Sequence, residues 1–101
     1  MTDIEITKRC ARAMGYTDDD VYPDGLDLVF RNGTHYAPLY DAAQAMALVK
    51  KFRLNIGQLS DNWCKVFTMP AEGKIHEGEA QDLNRAICEC VAKMATSAKR
   101  G

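Results

Sequence analysis

Apolar residues fall into three stretches of helical spacing separated by two stretches without it. Ile6, Cys10, Ala13 and Met14 stand at i, i+4, i+7 and i+8, behind a Thr2-x-x-Glu5 pair and ahead of Gly15. That is one face of a helix with a capping box at its start and a glycine stop at its end. Lys8, Arg9 and Arg12 decorate the opposite face, as on a solvated helix surface. A second helix is predicted to begin at Asp41, after Pro38 has ended the preceding pattern. Ala42, Ala45, Met46, Val49 and Phe52 share one face, and Lys50, Lys51 and Arg53 gather where the helix dipole favours cations. From about Gln81 the spacing returns in Leu83, Ala86, Ile87, Cys90, Val91 and Met94, and runs into the Ser97–Gly101 tail.

The intervening segments carry β and turn signals. Residues 16–25 hold four aspartates, a proline and a glycine without periodicity and read as a loop. Leu26–Phe30 is a short strand candidate. The Asn32-Gly33 pair after it tolerates positive φ and marks a turn, so His35 and Tyr36 begin a return strand or an irregular loop. Asn55–Gln58 punctuates. Asn62–Met69 is rich in aromatic and β-branched residues and stops at Pro70; Glu72-Gly73 turns the chain, and Lys74–Glu79 forms a weak second arm. This order predicts a single α+β domain over residues 1–101, with a small antiparallel sheet sandwiched or covered by three helices. The expected core includes Ile6, Met14, Met46, Val49, Trp63, Val66, Ile87, Cys90 and Val91.

Charge narrows the function classes. The 101 residues carry 13 Lys+Arg against 14 Asp+Glu, a net charge of −1, so no basic field exists of the kind that coats nucleic acid. No apolar run approaches the ~20 residues that span a bilayer. The acidic start Thr2-Asp3-Ile4-Glu5 lacks the basic and apolar regions of a signal peptide, which predicts a cytosolic protein. Cys10, Cys64, Cys88 and Cys90 contain no C-x-x-C pair, and Cys88 and Cys90 would point roughly 200° apart around a helix. The expectation is therefore reduced, metal-free thiols that pack as small hydrophobes. The aspartates of 18–20 lack the spacing of a calcium loop and read as a solvated acidic segment.

Several motifs, in order, carry a family resemblance: Ala13-Met14-Gly15-Tyr16 at the end of the first helix, Pro38-Leu39-Tyr40-Asp41-Ala42-Ala43-Gln44-Ala45-Met46 opening the second, Trp63 on a strand, and Asn84-Arg85-Ala86-Ile87-Cys88-Glu89 in the last helix. Together they resemble the phage α/β/α (ABA) sandwich domain family of small bacteriophage and prophage proteins. The sequence departs from that pattern where Tyr16 and Met46 stand in place of Trp, where Tyr40-Asp41 is contiguous, and where Cys88-Glu89-Cys90 replaces Cys-Arg-Ala. The resemblance implies a phage accessory role in the bacterial host cytosol, and hands over no catalytic residues and no cofactor.

No nucleophile, base and orienting group can be assembled from the residue order, so the expectation is a protein that binds without turnover. His35 or His76 could serve a small hydrolase, and Glu77 and Glu79 share one side of a strand. Surface histidines and a charged strand edge account for both more simply. The densest polar cluster is Arg31, Asn32, His35 and Tyr36, followed by Tyr40. It combines a guanidinium fork, turn amides, an imidazole and two rings ahead of a helix N-terminus, which suits a small anionic nucleotide-like ligand. An ordinary hairpin turn uses the same residues, and Asp41 already occupies the helix terminus. Two occupants therefore stand side by side: such a ligand, sequestered as a counter-defence against a nucleotide signal, or a host or phage protein docking elsewhere. A homodimer is also expected, because so small a domain leaves an apolar face for a symmetric copy to cover.

Overall fold

Thr2 caps the first helix as its sequence predicts. In the structure, a computed structural model that describes residues 2–25, 27–60, 62–68 and 76–98, helix α1 spans Asp3–Ala13 and the Thr2 hydroxyl accepts from the Glu5 amide at 3.3 Å. Its far end closes with two reverse bonds, Tyr16 N–H to the Ala11 carbonyl and Gly15 N–H to that of Arg12, both 3.0 Å. Gly15 sits at φ +91°, which a side chain would resist, and its stop places the Tyr16 ring back against the helix. Strands β1 (Val21–Asp24), β2 (Asp27–Phe30) and β3 (His35–Tyr36) follow as one antiparallel sheet in that order. Asn32 shapes the β2–β3 loop by accepting from the Thr34 amide at 2.9 Å.

Helix α2 (Ala42–Phe52) starts where Asp41 accepts from the amides of Ala43 and Gln44, at 2.9 and 3.1 Å. A second antiparallel sheet, β4 (Asn55–Ser60), β5 (Trp63–Phe67) and β6 (Glu77–Ala80), precedes helix α3 (Leu83–Ala98). The α+β class and the antiparallel pairing thus hold, but the strands divide into two sheets where the sequence suggested one. The first sheet packs on α1 through β2, and the second packs on α3 through β5 and β6. Helices α1 and α2 both pack on α3, which is the central element. Ala86, Ile87, Cys88, Cys90, Val91 and Ala92 of α3 are all fully buried.

The second sheet meets α3 at Gly78. A Cβ there would fall 2.1 Å from the Ala86 carbonyl oxygen and 2.7 Å from the Cys90 nitrogen, both backbone atoms. Strand and helix therefore touch main chain to main chain, a separation only glycine permits. Glycine in this strand, which sequence reasoning counts as a weakness, is the condition of its packing.

Ile6, Val66, Ile87, Cys90 and Val91 are buried as expected, and Met14 and Val49 are half-buried against the core. Met46 is 40% exposed and Trp63 38%. In α2 the buried positions are Ala45 and Leu48, so the inward face is rotated from the one containing Met46. Trp63 stands on the open side of β5, where its indole N–H donates to Glu79 at 3.4 Å. Two strands were not foreseen: β1 lies within the expected loop 16–25, and β4 covers the expected break at Asn55–Gln58. Leu26, the Glu72-Gly73 turn, and Lys74 and Ile75 of the expected second arm lie outside the described residues.

Candidate functional site

Three rings hold the first sheet to α1. Tyr16, Phe30 and Tyr36 meet edge to face, with centroids 5.1, 5.5 and 5.8 Å apart. Tyr36 is 3% exposed, and among the described residues its hydroxyl is buried without a hydrogen-bond partner. Burial, reinforced by the neighbouring Cys10 and Cys88, holds its phenol protonated well above the ordinary tyrosine range. Chain leaving β3 is fastened by Gln44. That side chain accepts from the Ala37 amide at 2.6 Å and donates to the His35 carbonyl at 2.9 Å. Pro38 and Leu39 are buried in the turn that follows, so Tyr40 projects from a fixed base with 78% of its surface exposed.

Beneath Tyr40 lies a cleft of about 550 Å³, between this turn and the start of α1. Asp3, Thr7, Asp27, Tyr36, Leu39 and Tyr40 are among its walls. Its charged groups are carboxylates. Asp3 receives the Arg85 guanidinium at 2.9 Å, and Arg85 also binds Glu89 at 2.8 Å. Asp27 lies 3.6 Å from His35 Nδ1. The bond to Asp3 is the main reason the Arg85 guanidinium holds its proton above its ordinary range.

Arg31 and Asn32 face a different depression, an open one of about 610 Å³ shared with Gly15, Tyr16, Asp19, Asp20 and Phe30. Arg31 is engaged there. Its Nε donates to the Asp19 carbonyl and its Nη2 to the Asp18 carbonyl, each at 3.0 Å, and its guanidinium lies 5.3 Å from the centre of the Tyr22 ring. Among the five candidate residues the fold therefore brings Tyr36 and Tyr40 together over one cleft, with His35 against its Asp27 rim. It places Arg31 and Asn32 at the other depression. Sequence reasoning missed Gln44, Asp3 and Asp27, which fix or wall the cleft. Only Asp27 offered a signal, as a charge inside an otherwise apolar strand.

Of the residues considered for hydrolytic chemistry, His76 is tied in through its main chain and Glu77 through an ion pair. His76 donates its amide to the Thr68 hydroxyl at 3.1 Å, and its carbonyl accepts from Cys90 Sγ at 3.4 Å. Glu77 pairs with Lys65 at 3.1 Å. Burial pushes the Cys90 thiol up to about 11. Cys10 is raised much further, first by its hydrogen bond to Cys88 and then by burial. These two thiols are protonated at neutral pH, the unreactive form.

Among the described residues no three His, Cys, Asp or Glu side chains gather as a metal-binding group, and no helix is long and apolar enough to cross a membrane. Comparison with known proteins returns no match to this chain from family models, curated proteins or solved structures.

Proposed function

We propose that the protein is an interaction module that acts by binding and not by turnover, with the cleft beneath Tyr40 as its contact surface. The observation that carries this reading is the cleft itself: a ring 78% exposed on a buried turn, above a concavity whose charged walls are Asp3 and Asp27. A tyrosine held on a rigid base supplies contact area with little conformational entropy to lose, the property that makes tyrosine common at interaction hot spots. The carboxylates beside it, Asp3 shared with Arg85 and Asp27 close to His35, favour a partner segment bearing lysine or arginine over an anionic one. In the phage accessory role that the sequence motifs imply, that partner is a host or phage protein in the bacterial cytosol.

The nucleotide reading is less well supported by the same geometry. It needs a guanidinium beside the two tyrosines, whereas Arg31 lies at the other depression and donates to two main-chain carbonyls. Calorimetry separates the readings. A short arginine- and lysine-rich peptide should give saturable heat that weakens as salt rises, and linear and cyclic nucleotides should give none. Nucleotide binding that Arg31→Ala weakens would overturn the proposal in favour of an anionic ligand.

A further inference from the structure

The four sheet edges are not equally protected. Edge strand β1 contains Pro23 and Asp24, edge strand β3 is two residues long, and edge strand β6 carries Glu77 and Glu79. Each is a device that discourages a further strand from pairing. The fourth edge, β4, is the longest at six residues, Asn-Ile-Gly-Gln-Leu-Ser, with neither a charge nor a proline. Its one irregularity is a register shift between Gln58 and Ser60, which leaves Asn55–Gln58 as a regular ladder.

The side of β4 that faces α3 is also incomplete. Ile56 pairs with Val66, so both side chains lie on the same face of the sheet. Val66 is fully buried beneath α3, whereas Ile56, one strand further out, is 46% exposed. An apolar position on the core face of the sheet is thus left uncovered at its open edge. The opposite face differs, because there Lys65 pairs with Glu77 and Trp63 with Glu79.

We infer that β4 pairs antiparallel with β4 of a second copy of this chain, joining two three-stranded sheets into one of six. A twofold axis sets the strand against itself, so a charged residue near the axis would lie close to its own copy. In a chain that is 27% charged, β4 has none. A ladder centred near Ile56 and Gly57 brings each Ile56 beside its symmetry copy on the face that bears α3. The cleft beneath Tyr40 lies elsewhere, between the start of α1 and the turn after β3, and this pairing does not depend on its use.

Sedimentation equilibrium on the full chain at tens of micromolar tests the pairing. The parent should show twice the 11.2 kDa chain mass. Ile56→Lys and, independently, the exposed-position change Gln58→Lys should raise the dimer dissociation constant roughly tenfold or more, because each places like charges across the twofold. Met46→Lys, which alters an exposed apolar residue away from the edge, should leave it unchanged. Hydrogen exchange should show the alternate amides of 55–58 that point away from β5 gaining protection with concentration in the parent alone. A parent that stays monomeric, or a dimer that neither β4 variant weakens while both retain the parent's far-ultraviolet dichroism, would overturn the inference.

Discussion

The two sheets are joined to their helices in opposite ways. At Gly78 the second sheet meets α3 backbone to backbone, with no side chain between them. The first sheet meets α1 through side chains, with β2 against the helix and the Tyr16, Phe30 and Tyr36 rings packed edge to face at its end. Main-chain contact leaves no space for a concavity. Rings fill the centre of their layer but not its rim, and it is at that rim, beside the start of α1, that the cleft beneath Tyr40 opens. This fold therefore has room for a site on the side packed through rings, where no backbone approach closes the gap.

Breaking the tight side should have the largest effect. Gly78→Ala places a methyl group inside the contact distance of two α3 backbone atoms. Moving β6 off the helix should cost about 3 kcal/mol or more, read as a lower urea midpoint. An unchanged midpoint would mean the sheet and helix do not meet as closely as described.

Alkaline pH probes the same side more gently. An unfolded thiol ionises near 9.0, whereas the folded Cys90 thiol keeps its proton until about 11. Between these values the folded chain binds more protons than the unfolded one, so stability is full below pH 9 and declines as pH rises through this window. Each such thiol contributes a slope of about 1.4 kcal/mol per pH unit. Cys10 acts in the same direction. Urea melts on either side of the window, repeated on Cys90→Ala, should show a decline that the variant reduces.

On the ring side, Tyr36→Phe should raise stability by about 1 kcal/mol, because it removes a buried hydroxyl without a partner and keeps the ring contacts. A loss of stability would show that the hydroxyl has a favourable partner. Arg85→Ala, at the seam where α3 reaches the start of α1, should cost only about 0.5 kcal/mol, since its ion pairs with Asp3 and Glu89 are partly open to solvent. A much larger loss in thermal melts would make that seam a principal support of the cleft.

The contrast between the sheets also explains what the sequence made legible. Helices α1 and α3 could be read because each carries a well-defined apolar stripe and, in α1, a cap and a stop. The phase of α2 could not. Ala42-Ala43-Gln44-Ala45-Met46-Ala47-Leu48-Val49 is apolar nearly all round, so only packing on α3 decides that Leu48 faces inward and Met46 outward. Apart from Ile56, strand β4 is built from residues of modest or poor intrinsic β preference, and it owes its form to pairing with β5. Strand β1 tolerates Pro23 because it is an edge. For the candidate site, residue types suggested a guanidinium and rings in one place. The separation arises because Arg31 is held by carbonyl groups, which side-chain identity does not reveal. That Tyr36 is buried and Tyr40 exposed likewise depends on Gln44 fixing the chain between them.

Amide-resolved NMR titration with an arginine- and lysine-rich peptide shows whether the cleft under Tyr40 takes a basic segment. In the parent, shift changes should concentrate at Thr2–Thr7 and Ala37–Tyr40 and saturate together. Tyr40→Ala, whose ring is exposed and whose removal should leave stability within about 0.5 kcal/mol, should weaken binding by about tenfold or more. Shift changes centred on Arg31 and Asn32, or an affinity that Tyr40→Ala leaves unaltered, would mean that the cleft is not the contact surface.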